Sequence, residues 1–244
     1  MGKMTNAIRL STVVVASLAV LGCVTNAVEL PQPDAGNAGA VVVKIDDICL
    51  PLMPCANQKM IFARLTDGVV LSSSEIYTST LEYDDHYYLL NAKPGTYVAV
   101  AASYSRGTSP LSFGGGSVSG SFGRSFDETI YFSQNLIEKT KVRVSPGVLA
   151  VAGDFDFDIQ GRMGFAPSAS DFLKAADPLQ VHYAKTVDPQ METRGAMSSI
   201  KFYRADLTAA HTSQQAARKI LGAANKHIGT AGWQNHILSA PTGQ

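Results

Sequence analysis

A chain of 244 residues with 20 basic and 20 acidic side chains carries no formal net charge and no clustered run of lysine or arginine. It therefore lacks the electrostatic footprint of a nucleic-acid binder. Its hydrophobic share of 45% is ordinary for a globular body, and beyond the first 22 residues no apolar run is long enough to cross a bilayer.

In chain order, the first feature is the apolar run Leu10 to Leu21, preceded by Lys3 and Arg9 and followed by Gly22-Cys23. It falls short of the roughly 20 residues that span a hydrocarbon core and reads as a targeting segment, outside the fold. Val20-Leu21-Gly22-Cys23 resembles the lipobox of bacterial lipoproteins. The resemblance implies cleavage before Cys23, lipid on its thiol, and an exported protein moored to a membrane. Each buried acyl methylene contributes about 0.8 kcal/mol to such a mooring. Val24 is not aspartate, which by the same resemblance directs the protein to the outer membrane. Thr25-Asn26-Ala27 offers an ordinary signal peptidase a rival site, whose use would discard Cys23. Residues 1–22 are thus assigned as signal peptide and 23–39, with Pro31, Pro33, Asp34, Gly36 and Asn37, as a flexible tether.

Two cysteines remain, Cys49 and Cys55, separated by Leu-Pro-Leu-Met-Pro. In an oxidising compartment a pair this close is expected to form a disulfide closing a short loop. The spacing is not the C-x-x-C of redox pairs, and further zinc ligands are missing nearby.

Strand-like segments fill residues 40–160. Ala40–Asp46, Lys59–Leu65, His86–Asn91, Thr96–Ala102, Glu128–Phe132, Lys139–Val144 and Val148–Ala152 are rich in β-branched or aromatic residues. Asp67-Gly68, Lys93-Pro94-Gly95 and Ser145-Pro146-Gly147 punctuate them as turns. This pattern predicts an antiparallel β-sandwich. Tyr88 to Ala102 resembles the strand, Pro-Gly turn, strand hairpin of prealbumin-like and carboxypeptidase-regulatory-like sandwich domains, and Val144 to Val151 repeats the theme. The resemblance covers residues 40–158 and implies a binding or structural module. The Gly/Ser-rich stretch 107–124 reads as an exposed mobile loop, since no Gly-Lys-Ser/Thr closes it into a phosphate cradle.

After Gly161 the pattern turns helical. Ser168 with Asp171 caps a short helix, and Asp177-Pro178 and Asp188-Pro189 each pair a cap with a proline suited to the first helical position. Thr212 with Gln215 opens a helix over 213–227, whose Ala217, Ile220, Leu221, Ala224 and Ile228 form one stripe and whose end falls at Gly229. Trp233 and Ile237 are expected to pack back on it. The predicted fold is α+β: a sandwich followed by a helical C-terminal portion, 161–244, lying on it.

Candidate chemistry is sparse. In a strand, Asp154, Asp156 and Asp158 share one face opposite Phe155 and Phe157, an array able to bind calcium if further oxygens join. The bland alternative is a solvated strand face. Asp84-Asp85-His86 reads as a polar turn, and the remaining histidines lack metal spacing. Neither His-Glu-x-x-His nor Gly-x-Ser-x-Gly occurs. The expectation is a lipid-anchored, non-catalytic module of the cell envelope, without cofactor, partnered by a membrane through its lipid and by an envelope protein or glycan. A calcium-dependent adhesive module and a periplasmic hydrolase with a dispersed active site are the alternatives.

Overall fold

The computed structural model describes residues 30–34, 36–46, 48–49, 55–68, 75–106, 126–160, 167–194 and 200–238. Cys23, the expected signal peptide 1–22 and the stretch 107–124 lie outside the described residues. The strands are β1 (Gly39–Ile45), β2 (Cys55–Leu65), β3 (Glu75–Thr78), β4 (Leu81–Tyr83), β5 (His86–Ala92), β6 (Gly95–Arg106), β7 (Phe126–Phe132), β8 (Val142–Val144), β9 (Leu149–Gln160) and β10 (Ile200–His211). The helices are α1 (Gln134–Lys139), α2 (Ala169–Ala175), α3 (Pro178–Val187), α4 (Gln214–Ile228) and α5 (Gln234–Leu238). Among these residues no helix is long and apolar enough to cross a membrane.

The protein is a mixed α/β structure built on one open sheet. Its strand order is β3-β2-β6-β7-β10-β9-β1-β5-β4, with β8 beside the first residues of β6. Two separate antiparallel sheets are not what forms, because β1–β9 and β7–β10 pair in parallel and β10 makes the hydrogen-bonded path continuous. The Pro-Gly turns explain much of the difference. Pro94-Gly95 joins β5 to β6 and Pro146-Gly147 joins β8 to β9, yet neither pair of flanking strands is hydrogen-bonded together. Each turn is an arch carrying the chain between halves of the sheet, so the expected hairpin at Tyr88–Ala102 is absent. Gly95 and Gly147 supply the positive φ, 153° and 71°, that the arches use.

The sheet also returns on itself. Its two outer strands, β3 and β4, are separated only by Ser79 and Thr80. There Ser79 N–H donates to the Met60 carbonyl (2.8 Å) and Thr80 N–H to that of Tyr88 (2.7 Å). Alternation then sorts the side chains. Val41, Val43, Ile45, Tyr87 and Leu89 join the large core with Met60, Phe62, Ile130 and Phe155. Ala40, Val42, Tyr88 and Leu90 face the other way, against Ile220, Leu221, Ala224 and Ile228 of α4 and against Trp233 and Ile237. On the face of β7 and β10, Phe172 of α2 packs 5.3 Å from Tyr131 and 6.2 Å from Phe202.

Local signals hold in part. Ser168 and Asp177 cap α2 and α3, the latter in a full capping box with Gln180. The α4 cap is Ser213 rather than Thr212, its side chain accepting from Ala216 N–H at 3.2 Å. Asp188 ends α3, and its carboxylate, paired with Arg194, accepts from Gln190 N–H ahead of a single helical turn at Met191–Thr193 rather than opening a full helix. The portion after residue 161 is not wholly helical, since it supplies the 12-residue β10. The tether is not free throughout. Trp233 donates its indole N–H to the Pro31 carbonyl (3.0 Å), and Asn91 holds both Gln32 and Asp34.

Lys139 ends α1, so the expected strand 139–144 shortens to β8. Thr140, which follows α1, repairs a fault in the sheet. Along β6, pairing with β7 stops at Ala101 and pairing with β8 begins at Tyr97, with a register shift near Val100. The buried Thr140 hydroxyl accepts from Ala99 N–H (2.9 Å) and donates to the Ile137 carbonyl (2.8 Å). Thr140→Val, of similar shape, is expected to lower unfolding free energy by about 1–3 kcal/mol by orphaning that amide, with Thr140→Ser recovering most of it; urea denaturation checks this.

The end of α4 is tied down by His227. Its Nδ1 lies 2.8 Å from the Tyr88 hydroxyl, and its ring lies 4.3 Å from Tyr83 and 5.3 Å from His86. Burial pushes the His227 imidazole below its ordinary value, helped by His86 and Lys226 and opposed by Asp84. The unfolded chain therefore binds this proton more readily. Stability is full above about pH 6.5 and falls as pH drops from there toward the lower folded-state value. Urea midpoints of the protein should drop more between pH 7.5 and 5.5 than those of His227→Gln; a parallel fall in both would contradict the assignment.

Candidate functional site

Two polar constellations stand out among the described residues, and β10 touches both. The first is a groove of about 630 Å³ on the outer face of β2-β6-β7-β10, walled by the segment after α3. Registry builds its floor in rows. Lys59, Ser103, Thr129 and Phe202 lie side by side across four strands, with Ser105, Asp127 and Ile200 in a neighbouring row. On the other flank, Ile61, Ala101 and Tyr131 form a third row. The groove exists because β6 offers only Ala101, Ser103 and Ser105 on this face, between larger neighbours. Its wall is the Asp188–Arg194 fork, with Nε–Oδ2 at 2.5 Å and Nη2–Oδ1 at 3.0 Å. That hydrogen bond raises Arg194 above its ordinary value, against desolvation and with the charge of Asp188. Asp127 accepts the Ser105 hydroxyl at 2.8 Å. Burial, together with Asp188, pushes the Tyr131 phenol far above its usual range, so it stays protonated.

Beside this groove, Glu128 is buried at 3% exposure. It accepts from the Tyr104 hydroxyl and pairs with Arg106 Nη2 at 3.1 Å. Removing either donor would leave a buried charge short of partners.

The second constellation gathers Asp46, Asp154 and Asp156, each offering an oxygen within 4.8 Å of the others. Alternation along β9 behaves as the sequence implies: Phe155 is fully buried and Phe157 packs partly against the same core. Asp158 does not join the cluster. It is exposed, faces Asp206 across the ladder, and accepts from Gln160 Nε2 at 3.1 Å. Its place is taken by Asp46, at the end of β1, which runs parallel to β9. Lys44 Nζ reaches Asp46 at 2.7 Å and Asp154 at 3.1 Å, while His211 Nε2 stands 3.4 Å from Asp156. Burial would depress Lys44, but its hydrogen bonds and charge interactions with the two aspartates outweigh that and hold the ammonium above its ordinary value. The cluster thus carries its own cation.

The other sequence candidates resolve simply. Asp84 and Asp85, at φ 51° and 59°, form the two-residue turn between β4 and β5. His86 Nδ1 lies 2.5 Å from the Asp84 carbonyl. His182 and His236 sit against Tyr183 and Trp233. Among the described residues, no histidine or cysteine lines the groove. Cys49 and Cys55 are joined, with Cα atoms 6.1 Å apart.

No protein-family model, no curated protein and no solved structure matches this chain.

Because the Lys44 ammonium already occupies the space between Asp46 and Asp154, millimolar calcium is expected to leave the melting temperature of the protein unchanged. Lys44→Met should lower stability by about 1–2 kcal/mol without metal and gain a calcium-dependent rise. Calorimetry with calcium and with chelator reads both; a calcium-induced rise in the unaltered protein would show that Lys44 yields the site.

Proposed function

We propose that this chain is a lipid-anchored, non-catalytic binding or structural module of the bacterial cell envelope, held at the outer membrane through Cys23. One observation carries the reading: of three cysteines in the chain, two are spent on each other. The thiol left over is the one that ends the lipobox-like Val20-Leu21-Gly22-Cys23. A disulfide suits an oxidising compartment, which agrees with export. The groove supports a binding role, because its charged wall, Asp188 with Arg194, is satisfied internally.

A second reading, a calcium-dependent adhesive module, draws on Asp46, Asp154 and Asp156. The Lys44 ammonium among them weighs against it.

Intact mass of the mature protein from the native membrane tests the first reading. The expected product lacks residues 1–22 and bears a thioether-linked diacylglycerol on Cys23, and Cys23→Ser should release the protein from membranes. A mature chain that begins at Val28 without fatty acid would overturn it.

A further inference from the structure

The groove carries hydroxyls that no other described residue engages, and from them we infer that it is a binding site for a neutral saccharide. This deepens the envelope-module reading and rests on it for where the ligand is met. Ser103, Thr129 and Tyr131 come from the paired strands β6 and β7 and lie in adjacent rows of the sheet face. Among the described residues, none of these three hydroxyls has a hydrogen-bond partner. Tyr131 is only 1% exposed and lines the groove. Its ring cannot turn away to find another partner. Phe172 holds it at 5.3 Å and Phe202 at 6.4 Å, and its backbone carbonyl is pinned by the Gln180 amide at 3.1 Å.

The chemistry of the ligand follows from what the groove offers. A hydroxyl both donates and accepts, so its complement presents donors and acceptors on neighbouring atoms. A carboxylate or phosphate only accepts, and an ammonium only donates. The Asp188–Arg194 fork already satisfies the opposite charges of the groove's wall. A polyhydroxyl ligand leaves that pair intact and can add hydrogen bonds to its outer edges. Lys59 stands exposed at the mouth, where water solvates it. The space, about 630 Å³, lies within the range of small-molecule sites and admits a short oligosaccharide.

The test is isothermal titration of the full-length, detergent-solubilised protein with maltotriose and chitotriose, beside trigalacturonate and the chitosan trimer as charged counterparts. At least one neutral trisaccharide is expected to bind, and more tightly than either charged one. Tyr131→Phe, which keeps the ring and its packing, should weaken that binding roughly five- to tenfold, the loss of one hydrogen bond, without lowering the melting temperature. Thr129→Val should act in the same direction. Preference for a charged trimer, no binding of any trimer, or unchanged affinity in Tyr131→Phe would each overturn the inference. Lipid on Cys23 is read separately by mass. A lipidated protein that binds no saccharide therefore sinks the groove assignment and leaves the anchored-module reading standing.

Discussion

The fold depends on the ladder that β10 makes on both of its sides. Without Ile200–His211 the hydrogen-bonded path would fall into two pieces, β3-β2-β6-β7 and β9-β1-β5-β4. Residues 200–205 run parallel to β7 and residues 204–211 antiparallel to β9, so one strand spans the seam with an overlap of only two residues. Both polar sites are mounted on it. Ile200 and Phe202 help to form the groove at its start, and His211 reaches the acid cluster at its end. A shift of one residue in its register would turn Phe202 from the helix-covered face to the interior and move His211 off Asp156, because side chains alternate along a strand.

Closure of the sheet on itself solves a burial problem. A flat ten-stranded sheet would need helices over both faces along its whole width. Here two Pro-Gly arches and the Ser79–Thr80 corner bring the halves round, so that β1 and β5 share a core with β2, β6 and β7. Helices are then needed only outside, with α4 and α5 on β1, β5 and β9, and α2 and α3 on β7 and β10. The curl forces discontinuities in pairing, and each is repaired locally. The Thr140 hydroxyl serves the amide left between β7 and β8, and the Ser79 side chain accepts from Met60 N–H at 3.0 Å where β2 passes the corner. Such repairs are what a buried backbone requires.

Much of this was legible in the sequence, and the parts that were not have physical reasons. Strands β1, β2, β5, β6, β7 and β9 announce themselves through β-branched and aromatic runs, and the caps at Ser168 and Asp177 through their side chains. Strand β10 hides because it is covered on both faces at Phe202-Tyr203 and then exposed through Thr208-Ala-Ala-His211, so neither a period of two nor an apolar run persists. The Pro-Gly turns read as hairpins, since local geometry says that a chain reverses but not which strand it then joins. In the acid cluster, Asp154 and Asp156 were legible as members of a trio that wrongly included Asp158. Asp46 and Lys44 were not, because Lys44 and Asp154 are 110 residues apart and only the parallel register of β1 and β9 joins them. The groove is likewise a product of registry: its hydroxyls belong to different strands and form no motif along the chain.

The two sites differ in what they leave open. The acid cluster is partly compensated by a lysine paired with two of its three carboxylates, whereas the groove pairs its wall charges and holds three hydroxyls with no partner among the described residues. Stapled at Cys49–Cys55, such a body fits the proposed reading of a module moored by lipid at Cys23. Hydrogen–deuterium exchange across β10 is the most direct test of the architecture that positions both sites. If β10 joins the halves, the amides of Phe202 to Ala205 should exchange as slowly as those of Ile130 to Phe132 and of Phe155, all opening only with global unfolding. Rapid exchange through Phe202 to Ala205 while β7 and β9 stay protected would contradict the account.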